Sequence, residues 1–177
     1  MNVEFVRFRW PNLLTDLKAE KFDVAMSGVT VREDRSLAAL FTVPVTKSEA
    51  VVIVPKRPKV DTMVGLDRAG IRIGVNRGGH LESVTRKAFS KATIVTSPDN
   101  QALPDLLLAG NIDALVTDTI EAPFWLKKLE GANALSPFTQ DRKAWLVHPE
   151  KEELAGQLDE WLLGIEANGT LGNIRRE

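Results

Sequence analysis

Two stretches of this chain, LLTDLKAEKFDVAMS at 13–27 and LPDLLLAGNIDALVT at 103–117, align without a gap. Each reads as a leucine-rich helix, a short turn, an aspartate, a hydrophobic strand and then a hydroxyl side chain. Asp23 falls on Asp113 and Ser27 on Thr117. Any two β-α-β units share part of this pattern, so a generic likeness is one reading. The other is a pair of equivalent lobes, each presenting polar groups at the carboxyl end of a strand. Ligands of open α/β sheets bind at that edge, and two such edges face to face form a cleft.

The rest of the chain continues the alternation. VEFVRFR at 3–9 reads as a strand, Leu13, Leu14 and Leu17 as a helix face, FDVAM at 22–26 as a strand, and Arg32–Leu40 as a loop with a short helix. The β-branched run Val51–Val54 reads as a buried strand, and KRPKVDTMVGLDRAG after it carries the charge, Pro and Gly of a boundary. Strands follow at 71–75, 92–96, 111–118 and 144–149, separated by helices that Gly110 and Gly131 terminate, and a long amphipathic helix carries Leu154, Leu158, Trp161, Leu162 and Ile165. The expected lobes are 1–54 with 144–177, and 55–143. A domain rarely begins inside a strand, so further sequence upstream of Met1 is expected.

Composition narrows the chemistry. The 177 residues carry 23 basic and 24 acidic side chains, net charge −1, which disfavours nucleic acid or an anionic membrane as partner. Cysteine is absent, which excludes thiolate catalysis, disulfides and cysteine metal sites. His80 and His148 lie far apart and in no metal or triad spacing, so neither a metal nor another cofactor is expected. No segment approaches the roughly 18 apolar residues of a membrane span, and the N-terminus lacks the basic and apolar regions of a signal peptide.

Three groups of residues carry candidate chemistry. Ser27, Gly28 and Thr30 follow the strand FDVAM, and Arg35 comes next. A guanidinium suits a ligand carboxylate because its fork matches two oxygens, while Arg32 competes for that role and either arginine could be a solvated helix residue. Gly78 and Gly79 precede a helix whose first N–H groups suit an anion, or serve as a plain turn. Asp118 and Glu121 sit three apart beyond the strand NIDALVTD. They read either as helix caps or as cleft carboxylates, one for a ligand ammonium or one as a general acid.

WPNLLTDL, KFDVAMSGVTVREDR, FTVPV, GVNRGG, SPDNQ and DALVTDTIEA occur in that order between about residues 10 and 124. Together they resemble the periplasmic amino-acid-type solute-binding proteins, and within them the cyclohexadienyl dehydratase branch. The resemblance implies an α/β, two-lobed fold of the type II periplasmic-binding-protein kind, lacking the first β-α unit of lobe 1. It implies a periplasmic location and a small carboxylate ligand such as an amino acid. A membrane permease of an ABC-type system would be the partner, and the lobes would close by a hinge near Val51–Pro55 and Lys143–Val147. By the same resemblance Ser27, Gly28 and Thr30 line the ligand, Arg35 holds its carboxylate and Trp10 contacts it. Asn76, Gly78, Gly79 and His80 add pocket contacts, Asp118 takes the amino group, and Glu121 is the general acid in an enzyme. Ala50 stands where the dehydratases carry a pocket lysine, and Leu81 where they carry an asparagine. An unpaired strand edge in the shortened lobe makes dimer formation or strand swapping an expectation.

Overall fold

The computed structural model describes residues 3–8, 11–57 and 60–176. The chain divides into two compact units, Met1–Lys47 with Asp141–Glu177, and Ser48–Gln140. The crossings therefore fall at 47/48 and 140/141. The expected boundaries at 54/55 and 143/144 lie instead within strands or at their ends. The expected hinge segments are likewise strand interior, because Val51–Val54 and Lys143–Val147 are laddered into β4 and β9 below.

The first unit holds helix α1 (Leu13–Lys18), strand β1 (Val24–Thr30), helix α2 (Glu33–Ser36) and strands β2 (Leu40–Phe41) and β3 (Thr46–Ser48), the last reaching Ser48 across the crossing. It then resumes with the long strand β9 (Asp141–Val147) and helices α7 (Glu152–Ala167) and α8 (Thr170–Ile174). The sheet order is β1-β9-β2, with β3 also on β9. Pairing of β1 with β9 is antiparallel, Val24 opposite Val147 and Thr30 opposite Lys143. Leu13 and Leu17 of α1 bury against Ala25, Val29 and Leu146 of the sheet. That i, i+4 pair is the stripe the leucine spacing predicts. Trp161 of α7 stacks on Trp145 of β9, ring centres 5.9 Å apart.

Two expectations are corrected in this unit. Residues 3–8 form no strand, since alternation alone supplies no ladder partner. The strand read as ending at Met26 continues to Thr30, through a register shift between Ala25 and Val29. Gly28, at φ +66°, supplies the left-handed residue of that irregularity. Among the described residues β1 pairs with β9 alone.

The second unit holds β4 (Ala50–Val54), α3 (Met63–Leu66), β5 (Arg72–Asn76), α4 (His80–Ala88), β6 (Thr93–Ser97), α5 (Leu103–Leu108), β7 (Ala114–Asp118), α6 (Ala122–Lys128) and β8 (Asn133–Ala134). A 3-10 turn, Asn100–Ala102, leads into α5. Strand order is β6-β5-β7-β4-β8. The β5 pairings are parallel, and β4 runs antiparallel to β7 and β8. Both faces of the sheet are covered. Val51, Ile53 and Leu115 pack with Leu103, Leu107 and Trp125 on one side. Val52, Val54 and Val116 pack with Leu66, Ile73 and Phe89 on the other. A strand buried on both faces reads as an unbroken apolar run because successive side chains point to opposite covered layers.

The aligned aspartates have matching roles at the entry ends of β1 and β7. Asp113 accepts from the Arg72 backbone N–H (2.9 Å), Nε (3.0 Å) and Nη2 (3.2 Å). Asp23 pairs with Lys151. Each ties the residue just ahead of a strand to a cation elsewhere in its own unit. Asp113→Ala is expected to lower the melting temperature by roughly 3–8 °C, the scale of one or two lost charge-assisted bonds in a domain of this size. Differential scanning fluorimetry checks it, and an unchanged melting point would deny the pair a structural role.

Candidate functional site

In the first unit the polar residues gather where β1 ends. Thr30 is 3% exposed, its hydroxyl accepts from Lys143 Nζ at 2.9 Å, and its carbonyl accepts from Arg35 Nη1 at 3.0 Å. Arg35 lies on the short helix α2, is 5% exposed, and Lys143, on β9, is 8% exposed. Two cations are thus buried around one threonine. Burial lowers the Arg35 guanidinium to a pKa of about 10; repulsion from Arg32 adds to the shift and Asp34 opposes it. Arg32, the competing clamp, spreads its fork over Asp34, with Nε and Nη2 each 2.9 Å from a carboxylate oxygen. Arg35 is accordingly the arginine held in the interior. Ser27 and Gly28 are exposed on the irregular part of β1. Trp10 lies outside the described residues.

In the second unit Asn76 ends β5 and is half-buried, Gly79 caps α4 and His80 begins it. Gly78, at φ +82°, makes the turn between them. The anion that meets this turn is the chain's own: the Gly78 N–H donates to Glu82 Oε2 at 2.7 Å. Arg86, one turn further along α4, donates from Nε to Glu82 Oε1 at 2.9 Å. A glutamate at the third helical position reaching back to an N–H ahead of the helix is a capping contact, and the sequence signal was its spacing from Gly79. The Gly78 N–H lowers the Glu82 carboxyl below its ordinary value, with Arg86 and Arg77 adding to the shift against partial desolvation.

That depression sets a pH dependence. The folded-state pKa lies below the unfolded one, so the bond's stabilisation is present above about pH 4.3. It is lost as the pH falls through the folded value. Glu82→Gln is therefore expected to melt several degrees lower than the parent at neutral pH and to converge with it as the pH falls through the depressed folded-state pKa. Melting curves across pH 3–7 read this. A gap that persists in acid would mean that packing, not charge, dominates at Glu82.

At the end of β7 the structure brings together residues that the aligned stretches separate. Thr117 is buried and donates from Oγ1 to Glu121 Oε2 at 2.7 Å, while its oxygen accepts from Trp125 Nε1 at 3.2 Å. Asn100 Nδ2 donates to Glu121 Oε1 at 2.8 Å. Both oxygens of Glu121 are thus engaged, and Asn100 of the SPDNQ stretch is a site residue that its distance in sequence conceals. Asp118 Oδ1 accepts from the N–H groups of Ile120 and Glu121, each at 3.0 Å, so it caps the turn into α6. Ser27, the counterpart of Thr117, is exposed by contrast. Ala50 is buried in β4 with its N–H on Thr139 Oγ1 at 2.7 Å, and Leu81 is half-buried against the second core cluster. Lys143 was invisible from sequence because the residue it serves, Thr30, lies at the other end of the chain.

Two α/β units with polar groups collected at the ends of β1, β5 and β7 match a known architecture. A family model for the bacterial extracellular solute-binding proteins, family 3, matches residues 1–177, and this chain belongs to that family. Cyclohexadienyl dehydratase of Pseudomonas aeruginosa is 30% identical over 167 residues, covering 92% of this chain and 62% of the enzyme. ABC transporter arginine-binding protein 1 of Escherichia coli K12 is 27% identical over 176 residues, covering 96% of this chain and 71% of that protein. This chain therefore spans 62% to 71% of the length of these two relatives. Among solved structures, an ancestral amino-acid-binding protein described as a precursor of cyclohexadienyl dehydratase superposes with a TM-score of 0.91 at 24% identity, covering 98% of this chain and 76% of that one. The fold is thus that of the amino-acid-binding proteins.

Proposed function

We propose that this chain binds a small carboxylate such as an amino acid, as part of the solute-binding component of an ABC-type transport system outside the cytoplasmic membrane. The observation that carries the reading is Arg35, a guanidinium held in the interior at the carboxyl end of β1. Burial disfavours its charge, and a ligand carboxylate placed on it would offset that cost through paired, charge-assisted bonds. Thr30, Ser27 and Gly28 would contribute to the same ligand, Asp118 would take an ammonium group, and Asn76, Gly79 and His80 would add polar contacts. The relatives support the class of ligand: one is named for binding arginine.

The test is a thermal-shift screen of the purified chain against the common amino acids. A ligand present at about 100 times its dissociation constant stabilises by roughly 2.7 kcal/mol, a shift of several degrees in a domain this size. One or a few amino acids producing such a shift is the expected result. A flat response to all of them at millimolar concentration would count against the reading.

The 30% identity to a dehydratase favours one alternative, elimination of water and carbon dioxide from prephenate or arogenate, with Glu121 as general acid. Phenylpyruvate formed from prephenate, and lost in Glu121→Gln, would replace the binder by the enzyme. The bonds from Asn100 and Thr117 give Glu121 a structural use in either case.

A further inference from the structure

Within the first unit alone there is a cavity of about 630 Å³, walled by the β2–β3 connection, β9, α7 and α8. It falls inside the range of about 300–1,000 Å³ typical of small-molecule sites. Its floor is apolar, formed by Val43, Pro44, Leu162, Leu163 and Leu171. Its charged lining is one-sided. Lys47, Arg142 and Arg175 supply cations, and Glu166 is the one acid.

These four side chains do different work. Arg175 grips Glu166 through both terminal nitrogens, at 3.0 and 2.8 Å, and its Nε donates to the Val45 carbonyl at 2.7 Å. That bracket holds α8 against the β2–β3 connection and cancels one positive charge with the negative one. Lys47 on β3 and Arg142 on β9 remain, both exposed and, among the described residues, in no ion pair. An apolar floor with two cations at its rim complements one chemistry: a molecule with an apolar body and a single anionic head.

We propose that this cavity is an auxiliary site for an amphiphilic organic monoanion, a medium-chain carboxylate or its sulfonate equivalent, separate from the amino-acid site. The tail lies on Leu162, Leu163 and Leu171, and the head is met by Lys47 and Arg142. None of Ser27, Thr30, Arg35, Asp118 or Glu121 lines it.

Isothermal titration of the intact chain with octanoate at low ionic strength tests the assignment, with 1-octanol as the neutral counterpart. Saturable one-to-one binding of octanoate, at least tenfold tighter than octanol, is expected. The Lys47→Gln, Arg142→Gln double variant should lose at least tenfold in affinity, and Arg86→Gln in the second unit should lose nothing. Circular dichroism and the melting point establish that each variant is folded. Should the double variant unfold, Leu163→Glu, which places an acid on the wall at a 57% exposed position, should abolish binding instead. No saturable heat, equal affinity for octanol, or full affinity in the folded double variant would overturn the proposal. Competition keeps it distinct from the proposed function: an amino acid that raises the melting point should leave octanoate binding unchanged, and displacement would overturn the separate site. An absent amino-acid response leaves the octanoate measurement fully interpretable.

Discussion

Ile53→Ala is expected to lower the unfolding free energy by about 2–5 kcal/mol, the cost of a large-to-small change where neighbours cannot collapse. Ile53 is 0% exposed in β4, laddered to Leu115 of β7 and Ala134 of β8, and packed in the cluster that contains Trp125. Strands on both sides fix its backbone, so the lost side chain leaves a cavity. The total stability of a domain this size is about 5–15 kcal/mol, which makes the change a large fraction of it. At about 2–4 °C per kcal/mol the melting point should fall by roughly 5–15 °C. Urea titration followed by tryptophan fluorescence reads the effect, since Trp125 reports from the same cluster at 7% exposure. Leu163→Ala on α7 is the control, expected within about 0.5 kcal/mol of the parent. A loss below about 1 kcal/mol at Ile53 would contradict the doubly covered sheet.

That sheet was also where sequence reading met its limit. The run Val51–Val54 was legible as a buried strand, because alternate residues feed two covered layers and all must be apolar. Which sheet it joins was not legible. The boundary read from KRPKVDTMVGLDRAG left it in the first lobe, whereas antiparallel pairing to β7 puts it in the second unit. Periodicity describes a strand's faces and says nothing of its edge partners. The same limit explains residues 3–8, which alternate like a strand and form no ladder. At Ser27 and Gly28 the difficulty was of another kind, since small residues that read as the end of a strand instead accommodate an irregularity within it.

The site divides similarly. Arg35, Asp118 and Glu121 were legible as candidates because they lie at or just past the carboxyl ends of the two aligned hydrophobic strands. Their surroundings required the fold. The spacing of Glu82 from Gly79 signals a cap, but that Glu82 takes the Gly78 N–H, and that Asn100 reaches Glu121 from 21 positions away, only the fold shows. The aligned stretches proved alike in their scaffold and unlike in their chemistry. Asp23 and Asp113 both anchor strand entries, while Thr117 is buried in a hydrogen-bond chain and Ser27 is exposed.

Replacing Arg35 produces the largest expected functional effect, and its signature separates a ligand-binding arginine from a structural one. Arg35→Ala is expected to lower amino-acid affinity by at least about 30-fold, because it removes a buried, charge-assisted partner worth about 2–5 kcal/mol in comparable contacts. Arg35→Lys keeps the charge and loses the planar fork, so an intermediate loss of about 10-fold or more is expected. The ligand-free protein should respond differently. Desolvation is the largest influence on Arg35, repulsion from Arg32 compounds it, and Asp34 compensates only in part. Removing the guanidinium relieves both costs, against the loss of the contacts it makes, the bond to the Thr30 carbonyl among them. The ligand-free melting point of Arg35→Met should therefore stay within about 2 °C of the parent, while the shift given by the amino acid disappears. Calorimetric titration and melting curves on the same variants provide both numbers. A structural arginine would give the reverse pattern, a steep fall in ligand-free stability with affinity retained in whatever fraction remains folded. That outcome would confine Arg35 to fastening α2 onto the end of β1.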